Sequence, residues 1–227
     1  MRTVARAALA VGLFAVASLV GPVGCGGDNN DVSATSLKPR LLPAAFVPGS
    51  HLLKTFDWSD PVNLVGEGLF LPEATHPSQA VNELDDVGLR GSAGEILNQG
   101  GANGDELRTG VIKLESDSAA GKLRDWMHSQ DLQQPCLASC IFSPQNLPIP
   151  GVPDGKAVKQ APMGAAKGPP GLPPGAKVPA GLGPPTRYLV EFTVGPYLYF
   201  AHTEGDSKTA PRFVAITKRY YEQVKDL

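Results

Sequence analysis

The sequence predicts an α+β fold in which helices pack on one antiparallel sheet. Two pairs of apolar, strand-like segments are each joined by a glycine-containing turn, and each pair is followed by an amphipathic helical pattern. The pairs cover residues 89–114 and 187–202. We therefore expect two hairpin-then-helix units in one sheet, with a disordered Pro/Gly-rich insertion between them at about 144–186.

The segments before the first pair are less regular. Residues 38–46 are apolar but broken by prolines, and residues 53–56 and 62–71 are apolar patches that fit short strands or irregular chain equally well. A helix is predicted to start at Pro77 or Ser78 and to end at Gly88. Its apolar residues recur at helical spacing: Ala80, Val81, Leu84 and Val87.

The first hairpin is predicted from strands at 89–97 and 107–114, with a glycine-rich turn at 100–105. Ser116, Asp117 and Ser118 then cap a helix. One apolar stripe of this helix contains Ala119, Ala120, Leu123, Trp126 and Met127.

The second hairpin joins strands at 187–194 and 197–202 through Gly195 and Pro196, and a helix is expected from about 210 to 224. Strand alternation sends Tyr188, Val190 and Phe192 to one face and Leu189, Glu191 and Thr193 to the other.

The insertion lacks the strict glycine period of collagen and is expected to be a flexible loop with polyproline II character. It is either a tolerated surface insertion or a segment that contacts a proline-reading partner or an acidic polymer of the cell wall. Its lysines outnumber its single acidic residue, Asp154.

The N-terminus has the pattern of an export signal. Arg2 and Arg6 precede an apolar stretch at 7–20, and Cys25 follows a small residue and precedes a polar segment. That stretch is shorter than the roughly 20 residues that a membrane-spanning helix requires. An ordinary cleaved signal and a short uncleaved anchor are the alternatives.

Residues 22–25 resemble the signal of bacterial lipoproteins, although Pro22 stands where leucine is usual. The resemblance implies a signal peptide at 1–24, cleavage before Cys25, and diacylglyceryl or palmitoyl chains on Cys25. A flexible tether at 25–38 and a single domain at 39–227 would follow. The partner of the N-terminus would then be a membrane, on whose extracytoplasmic face the protein is held by lipid.

The lipoprotein-like signal and the two units together resemble the small cell-envelope lipoproteins of actinobacteria. Besides the signal, residues 110–127 and 190–202 carry this resemblance. It implies a PsbP-like α/β/α fold or a sensor-type extracellular module.

With Cys25 assigned to lipid, Cys136 and Cys140 form an even pair, and a disulfide between them is the favoured interpretation. A redox-active pair and a metal site that includes His128 or Met127 are alternatives, but neither spacing matches an established motif.

No motif predicts catalysis, a metal or a cofactor. Ser92 lies in a predicted strand rather than at a nucleophile elbow, the histidines are scattered, and the glycines at 100–104 lack a following phosphate-binding lysine. Loss of residues 1–24 would take the net charge from −2 to −4, because Arg2 and Arg6 are removed. Such a weakly acidic chain is not expected to bind nucleic acid.

Tyr188, Tyr197 and Tyr199 are concentrated in the second hairpin, where they either pack the core or form an exposed binding surface. The sequence therefore predicts a non-catalytic, lipid-anchored protein that binds a small ligand or an envelope protein. A structural role in the cell wall is the alternative, and an envelope hydrolase is the least favoured one.

Overall fold

The computed structural model describes residues 34–66, 77–98, 106–133, 142–162, 185–206 and 209–227. The strands within these ranges are β1 (His51–Trp58), β2 (Leu89–Asn98), β3 (Glu106–Leu114), β4 (Phe142–Asn146), β5 (Lys156–Pro162), β6 (Thr186–Val194) and β7 (Tyr197–Gly205). The helices are α1 (Ala34–Leu37), α2 (Pro61–Gly66), α3 (Pro77–Asp86), α4 (Asp117–Gln133) and α5 (Thr209–Val224). The described strands form one antiparallel sheet in the order β1-β2-β3-β7-β6-β5-β4. This confirms the predicted α+β class.

Both predicted hairpin-then-helix units are present. β2 and β3 precede α4, β6 and β7 precede α5, and pairing of β3 with β7 joins the two hairpins in the middle of the sheet. The turn between β6 and β7 begins at Gly195, whose φ of 56° lies in the left-handed region that glycine enters without steric cost. Ser116 caps α4 as predicted, since its hydroxyl accepts a hydrogen bond from the Ala119 amide at 3.2 Å.

One face of the sheet is covered by α2, α3 and α4. Ile112, Leu198 and Phe200 of the central strands pack there against apolar residues of the helices. The helical contributors are Leu64, Val65, Ala80, Leu84, Ala119, Ala120, Leu123 and Met127. Gly110 permits this packing, because a Cβ atom there would collide with the ring of Phe200 on the neighbouring strand.

The opposite face is covered by α5 and by the segment at 37–47. Phe192 stacks on Tyr199 with ring centroids 5.1 Å apart, and Tyr220 of α5 meets both rings edge-on with centroids 5.5 Å away. Leu37, Leu42 and Val47 belong to the same core. The described residues therefore form three layers, with a separate apolar core on each face of the sheet.

Two predicted boundaries require correction. The prediction of an insertion at 144–186 is wrong for its first part, because β5 pairs with both β4 and β6 and so extends the sheet through Pro162. Pro144 is compatible with β4, since that strand lies at the sheet edge and an edge strand tolerates proline. Residues 163–184 lie outside the described part of the chain.

The tether expected at 25–38 is also wrong for its last residues. Residues 34–37 form α1, and Leu37 is buried in the core that contains α5. A polar composition at 28–36 predicted solvated chain, but the apolar side chain of Leu37 finds a partner surface that is distant in sequence. Among the helices that the structure describes, none is long and apolar enough to span a membrane.

Candidate functional site

The candidate site is a groove of about 490 Å³ on the α5 side of the sheet, near the edge formed by β1. Its floor is the face of β1 and β2, and the segment at 38–43 together with Gln223 of α5 closes its sides. The lining residues are Lys38, Pro39, Leu41, Leu42, Pro43, Leu52, Thr55, Phe56, Asp57, Ala93, Glu95 and Gln223. Its volume is typical of small-molecule sites in proteins.

Glu95 is the buried acid of this groove. It lies in β2 between Thr55 of β1 and Thr109 of β3, and strand alternation directs it to the same face as Ala93 and Leu97. Its side chain is only 8% exposed, and its Oε1 atom has no hydrogen-bond partner among the described residues. Burial raises the pKa of Glu95 from 4.5 to about 7. No neighbouring cation among the described residues offsets that shift, so burial destabilises the ionised carboxylate of Glu95.

Gln223 contributes a second acceptor. Its Nε2 atom donates hydrogen bonds to the backbone carbonyl of Leu41 at 3.2 Å and to that of Pro39 at 3.5 Å. Carbonyl oxygens can only accept, so these contacts fix the orientation of the amide. Its Oε1 atom is consequently left as an acceptor with no partner in the described structure. The same contacts attach α5 to the segment that forms one wall of the groove.

The walls of the groove are apolar. Leu41 and Leu42 are buried against the α5 core, whereas Leu52 of β1 is 50% exposed. β1 lies at the edge of the sheet, so Leu52 and the exposed Thr55 meet solvent at the mouth of the groove. An apolar ligand would cover this surface.

Arg40 fixes the wall segment to the rest of the domain. Its Nη1 atom donates to the Tyr199 hydroxyl at 2.8 Å, and its Nη2 atom donates to the backbone carbonyl of Leu227 at 2.6 Å. The same guanidinium lies 3.8 Å from the centroid of the Tyr197 ring. These contacts hold the segment at 38–43 in place over the sheet.

The three tyrosines singled out in the sequence lie beside the groove rather than in it. Tyr188 and Tyr199 are fully buried, and Tyr188 donates its hydroxyl to the backbone carbonyl of Asp206 at 2.7 Å. Tyr197 is half-buried beneath Arg40. Their apolar surfaces pack the core, because alternation in β6 and β7 directs all three rings to the α5 side. Tyr199 contacts the wall segment of the groove through Arg40.

The opposite face of the sheet holds a buried pair of acids. Asp131 of α4 and Glu191 of β6 are both buried, and each carboxyl group influences the pKa of the other. Two buried carboxyl groups that interact in this way repel each other when both are ionised. Burial raises the pKa of Asp131, and burial together with the charge of Asp131 raises the pKa of Glu191 well above its usual value. Burial and the repulsion between the two carboxylates therefore favour a protonated form of the pair, opposed in part by Lys156 and Arg124.

A third polar cluster lies on that same face, at the ends of β3, β6 and β7. His202 is 8% exposed, and neither of its ring nitrogens has a hydrogen-bond partner in the described structure. Burial, followed by the charges of Arg108 and Arg187, lowers the pKa of His202 to about 3. Arg108 contacts Glu106 and Arg187 contacts Glu204. These two ion pairs make the cluster nearly neutral overall.

Ser92, the candidate nucleophile of the sequence, has a structural role in the sheet. Ser92 donates its hydroxyl to the backbone carbonyl of Trp58 at 2.8 Å, which links β2 to β1. Cys25, Cys136, Cys140 and His76 lie outside the described residues, so lipidation and the disulfide stay predictions. Within the described ranges, no group of three or more metal-ligating side chains is found.

Sequence reasoning missed both Glu95 and Gln223. The signal for Glu95 was present, since it shares strand parity with Ala93 and Leu97 and so had to point inward with them. Gln223 gives no such signal. Its role depends on contact with residues more than 180 positions earlier in the chain.

Fold and groove together define a three-layer α/β/α domain with an apolar, acceptor-lined groove at one edge of its sheet. Comparison with protein-family models and with curated protein sequences finds no match. Among solved structures, the chain is similar to the extracellular domain of PknH from Mycobacterium tuberculosis. The TM-score is 0.51 and the identity is 11%, over 85% of this chain and 98% of that one. At this identity the similarity establishes a shared fold.

Proposed function

We propose that the protein binds a small, largely apolar ligand in the groove lined by Glu95 and Gln223, on the extracytoplasmic face of a membrane, without catalysing a reaction. The observation that supports binding most strongly is that two side chains lining the groove, Glu95 and Gln223, each have a buried Oε1 acceptor with no partner in the described structure. A buried acceptor without a partner costs stability, and a bound donor would remove that cost.

Binding is favoured over catalysis by the polar groups that line the groove. Lys38, Thr55, Asp57, Glu95 and Gln223 include no pairing of a nucleophile with an adjacent base among the described contacts. The envelope hydrolase is therefore the weakest alternative. A structural role in the cell wall depends on residues 163–184, which the structure does not describe.

Binding of an envelope protein is the second candidate. β1 lies at the edge of the described sheet, and Leu53 is 49% exposed beside Leu52. An extended peptide could add to such an edge. The groove is favoured because it combines apolar walls with specific polar side chains, whereas the exposed side chains of the edge at Leu52 and Leu53 are apolar.

The extracytoplasmic, lipid-anchored location is supported by the sequence at 1–30 and by the similarity in fold to an extracellular domain. Mass spectrometry of the protein extracted from membranes tests it. We expect a mature N-terminus at Cys25 that carries acyl chains, and an unmodified N-terminus at another residue would refute anchoring. A mass change of two hydrogens on reduction would show that Cys136 and Cys140 are joined.

The groove is tested with a substitution that fills it. Thr55→Trp places an indole in the mouth of the groove, on a strand position that tolerates aromatic residues. The matched control is His51→Trp, which adds the same side chain to an exposed position of β1 that does not line the groove.

The measurement is the fluorescence of the neutral probe N-phenyl-1-naphthylamine, titrated with the full chain. We expect Thr55→Trp to weaken binding about tenfold or more, because loss of about 60 Å² of buried apolar surface costs roughly that factor. His51→Trp should bind as the unsubstituted chain does. Equal affinities for the two variants would show that the probe does not occupy the groove.

A further inference from the structure

Two of the polar side chains that line the groove, Gln223 and Glu95, each have a buried acceptor atom without a partner among the described residues. Gln223 uses its amide nitrogen on two backbone carbonyls, which leaves its Oε1 atom as the unpartnered acceptor, and Glu95 has an unpartnered carboxyl oxygen. The groove is therefore bordered by two side chains whose acceptors lack donors. A ligand that supplied another acceptor, such as a carboxylate, would leave three unsatisfied groups together.

The charges around Glu95 favour a cation over a neutral donor. The charged side chains that line the groove are Lys38, Asp57 and Glu95, so two acids face one base. Arg40 is the nearest other cation of the wall segment, but it is held by Tyr199, Leu227 and the Tyr197 ring. Tyr220 approaches from α5 but brings no positive charge to compensate a negative charge on Glu95. The proximity of Glu95 instead contributes to the raised pKa of the Tyr220 hydroxyl.

Resting on the proposed function, we infer that the ligand of this groove is an amphiphilic amine, which places an ammonium group against Glu95 and Gln223 and an apolar chain along Leu41, Leu42 and Leu52. The ammonium supplies three hydrogen-bond donors and a positive charge that pairs with the Glu95 carboxylate. The groove volume of about 490 Å³ accommodates an alkyl chain of moderate length. The open mouth at Leu52 allows longer chains to extend into solvent or along β1.

The sign of the pH dependence follows from Glu95. Its pKa of about 7 means that it is mostly neutral at pH 5.5 and mostly ionised at pH 8. An ammonium group favours the ionised form, so binding of the amine should strengthen as pH rises through 7. Binding of an uncharged alcohol with the same chain should change little over that range.

The test compares three compounds of equal chain length on the full protein: 1-octylamine, 1-octanol and octanoate. Each is titrated as a competitor of N-phenyl-1-naphthylamine at pH 8 and pH 5.5. We expect 1-octylamine to bind about 10- to 100-fold more tightly than 1-octanol at pH 8, since hydrogen bonds to charged groups exceed neutral ones by roughly this factor. The advantage should shrink severalfold or more at pH 5.5, and octanoate should bind most weakly.

Glu95→Gln is the decisive variant, because it keeps the shape of the side chain and removes its charge. It should lose both the preference for 1-octylamine over 1-octanol and the pH dependence of that preference. Glu115→Gln, at a position directly after β3 whose side chain is 52% exposed and does not line the groove, is the matched control and should retain both.

The possible failures are distinguishable. If 1-octanol and 1-octylamine compete equally at pH 8, or if octanoate binds best, the inference about the amine is overturned and the groove remains a binding site. If none of the three displaces the probe from the unsubstituted chain, the proposed binding function itself is refuted. A preference for the amine that survives in Glu95→Gln would assign the cation to another acid and so refute the role of Glu95.

Discussion

Phe192→Ala is expected to lower the free energy of unfolding by about 3–5 kcal/mol, the usual cost of deleting a fully buried aromatic ring. Phe192 is completely buried at the centre of the α5-side core, where it stacks on Tyr199 and meets Tyr220 and Tyr221 edge-on. Removal of the Phe192 ring would leave a cavity among the rings of Tyr199, Tyr220 and Tyr221, which belong to the sheet and to α5. Urea unfolding followed by far-UV circular dichroism measures the change.

The control is the same substitution at Phe46, whose side chain is 38% exposed. Phe46→Ala should cost about 1 kcal/mol or less, because much of the ring already meets water. Phe192→Leu keeps most of the volume and provides a measurable intermediate if Phe192→Ala does not fold. A loss in Phe192→Leu no larger than that in Phe46→Ala would contradict the position of Phe192 in the core.

Glu191→Gln is expected to stabilise the protein at pH 8 and to change its stability little at pH 5. In the unfolded chain, Asp131 and Glu191 lose their protons near pH 4, whereas burial keeps at least one proton on the folded pair to higher pH. The folded state thus binds more protons between these values, so its stability falls as pH rises from about 4 through the raised folded pKa values. A glutamine at 191 removes the proton that must be retained.

The expected gain at pH 8 is about 1–3 kcal/mol, because each unit by which folding raises a carboxyl pKa costs about 1.4 kcal/mol once the pH exceeds it. The difference in stability between Glu191→Gln and the unsubstituted chain isolates the effect of the Asp131–Glu191 pair. The contributions of Glu95, whose raised pKa acts in the same direction, and of His202 are present in both proteins and cancel. The lowered pKa of His202 acts in the opposite direction, since its stabilisation is present above pH 6.5 and is lost as pH falls toward 3.

Urea unfolding at pH 5 and pH 8 provides the measurement, with Glu115→Gln as the control at an exposed acid. The control should show the same pH dependence as the unsubstituted chain. Equal stability changes for Glu191→Gln at the two pH values would mean that the folded protein does not favour a protonated form of the Asp131–Glu191 pair.

The elements that the sequence predicted best are those whose local pattern and tertiary environment agree. The second hairpin alternates cleanly, with Val190 and Phe192 inward on the α5 side, and Gly195 supplies the turn conformation. The helix α5 follows with Phe213, Ile216 and Tyr220 at helical spacing. Each of these segments buries its apolar face within the unit that the local sequence defines, so pattern alone was sufficient.

The edge strands could not be predicted in the same way. β1 is exposed along most of its length, so it shows no alternation of apolar and polar residues. β4 contains Pro144 and lies within a region of high proline content, which indicated loop. Both strands exist because a neighbouring strand offers a paired edge, and such pairing leaves little trace in local sequence.

The candidate site was predicted least well, since it is assembled from distant parts of the chain. The wall at 38–43 contacts Gln223 of α5 and, through Arg40, the backbone of Leu227 after that helix, and no local pattern signals a contact over that separation. The tyrosines attracted attention as a dense aromatic group, but density alone did not distinguish a buried core from a binding surface. Glu95 was the one residue that strand parity could have identified.

The central claim is that a ligand binds in the groove on the α5 side of the sheet. The most direct measurement is a ¹⁵N chemical-shift titration of the full chain with 1-octylamine at pH 8. The largest shifts are expected at Thr55, Glu95 and Gln223, which line the groove. Largest shifts around Arg108, Arg187 and His202 on the opposite face, or no shifts at saturating ligand, would contradict it.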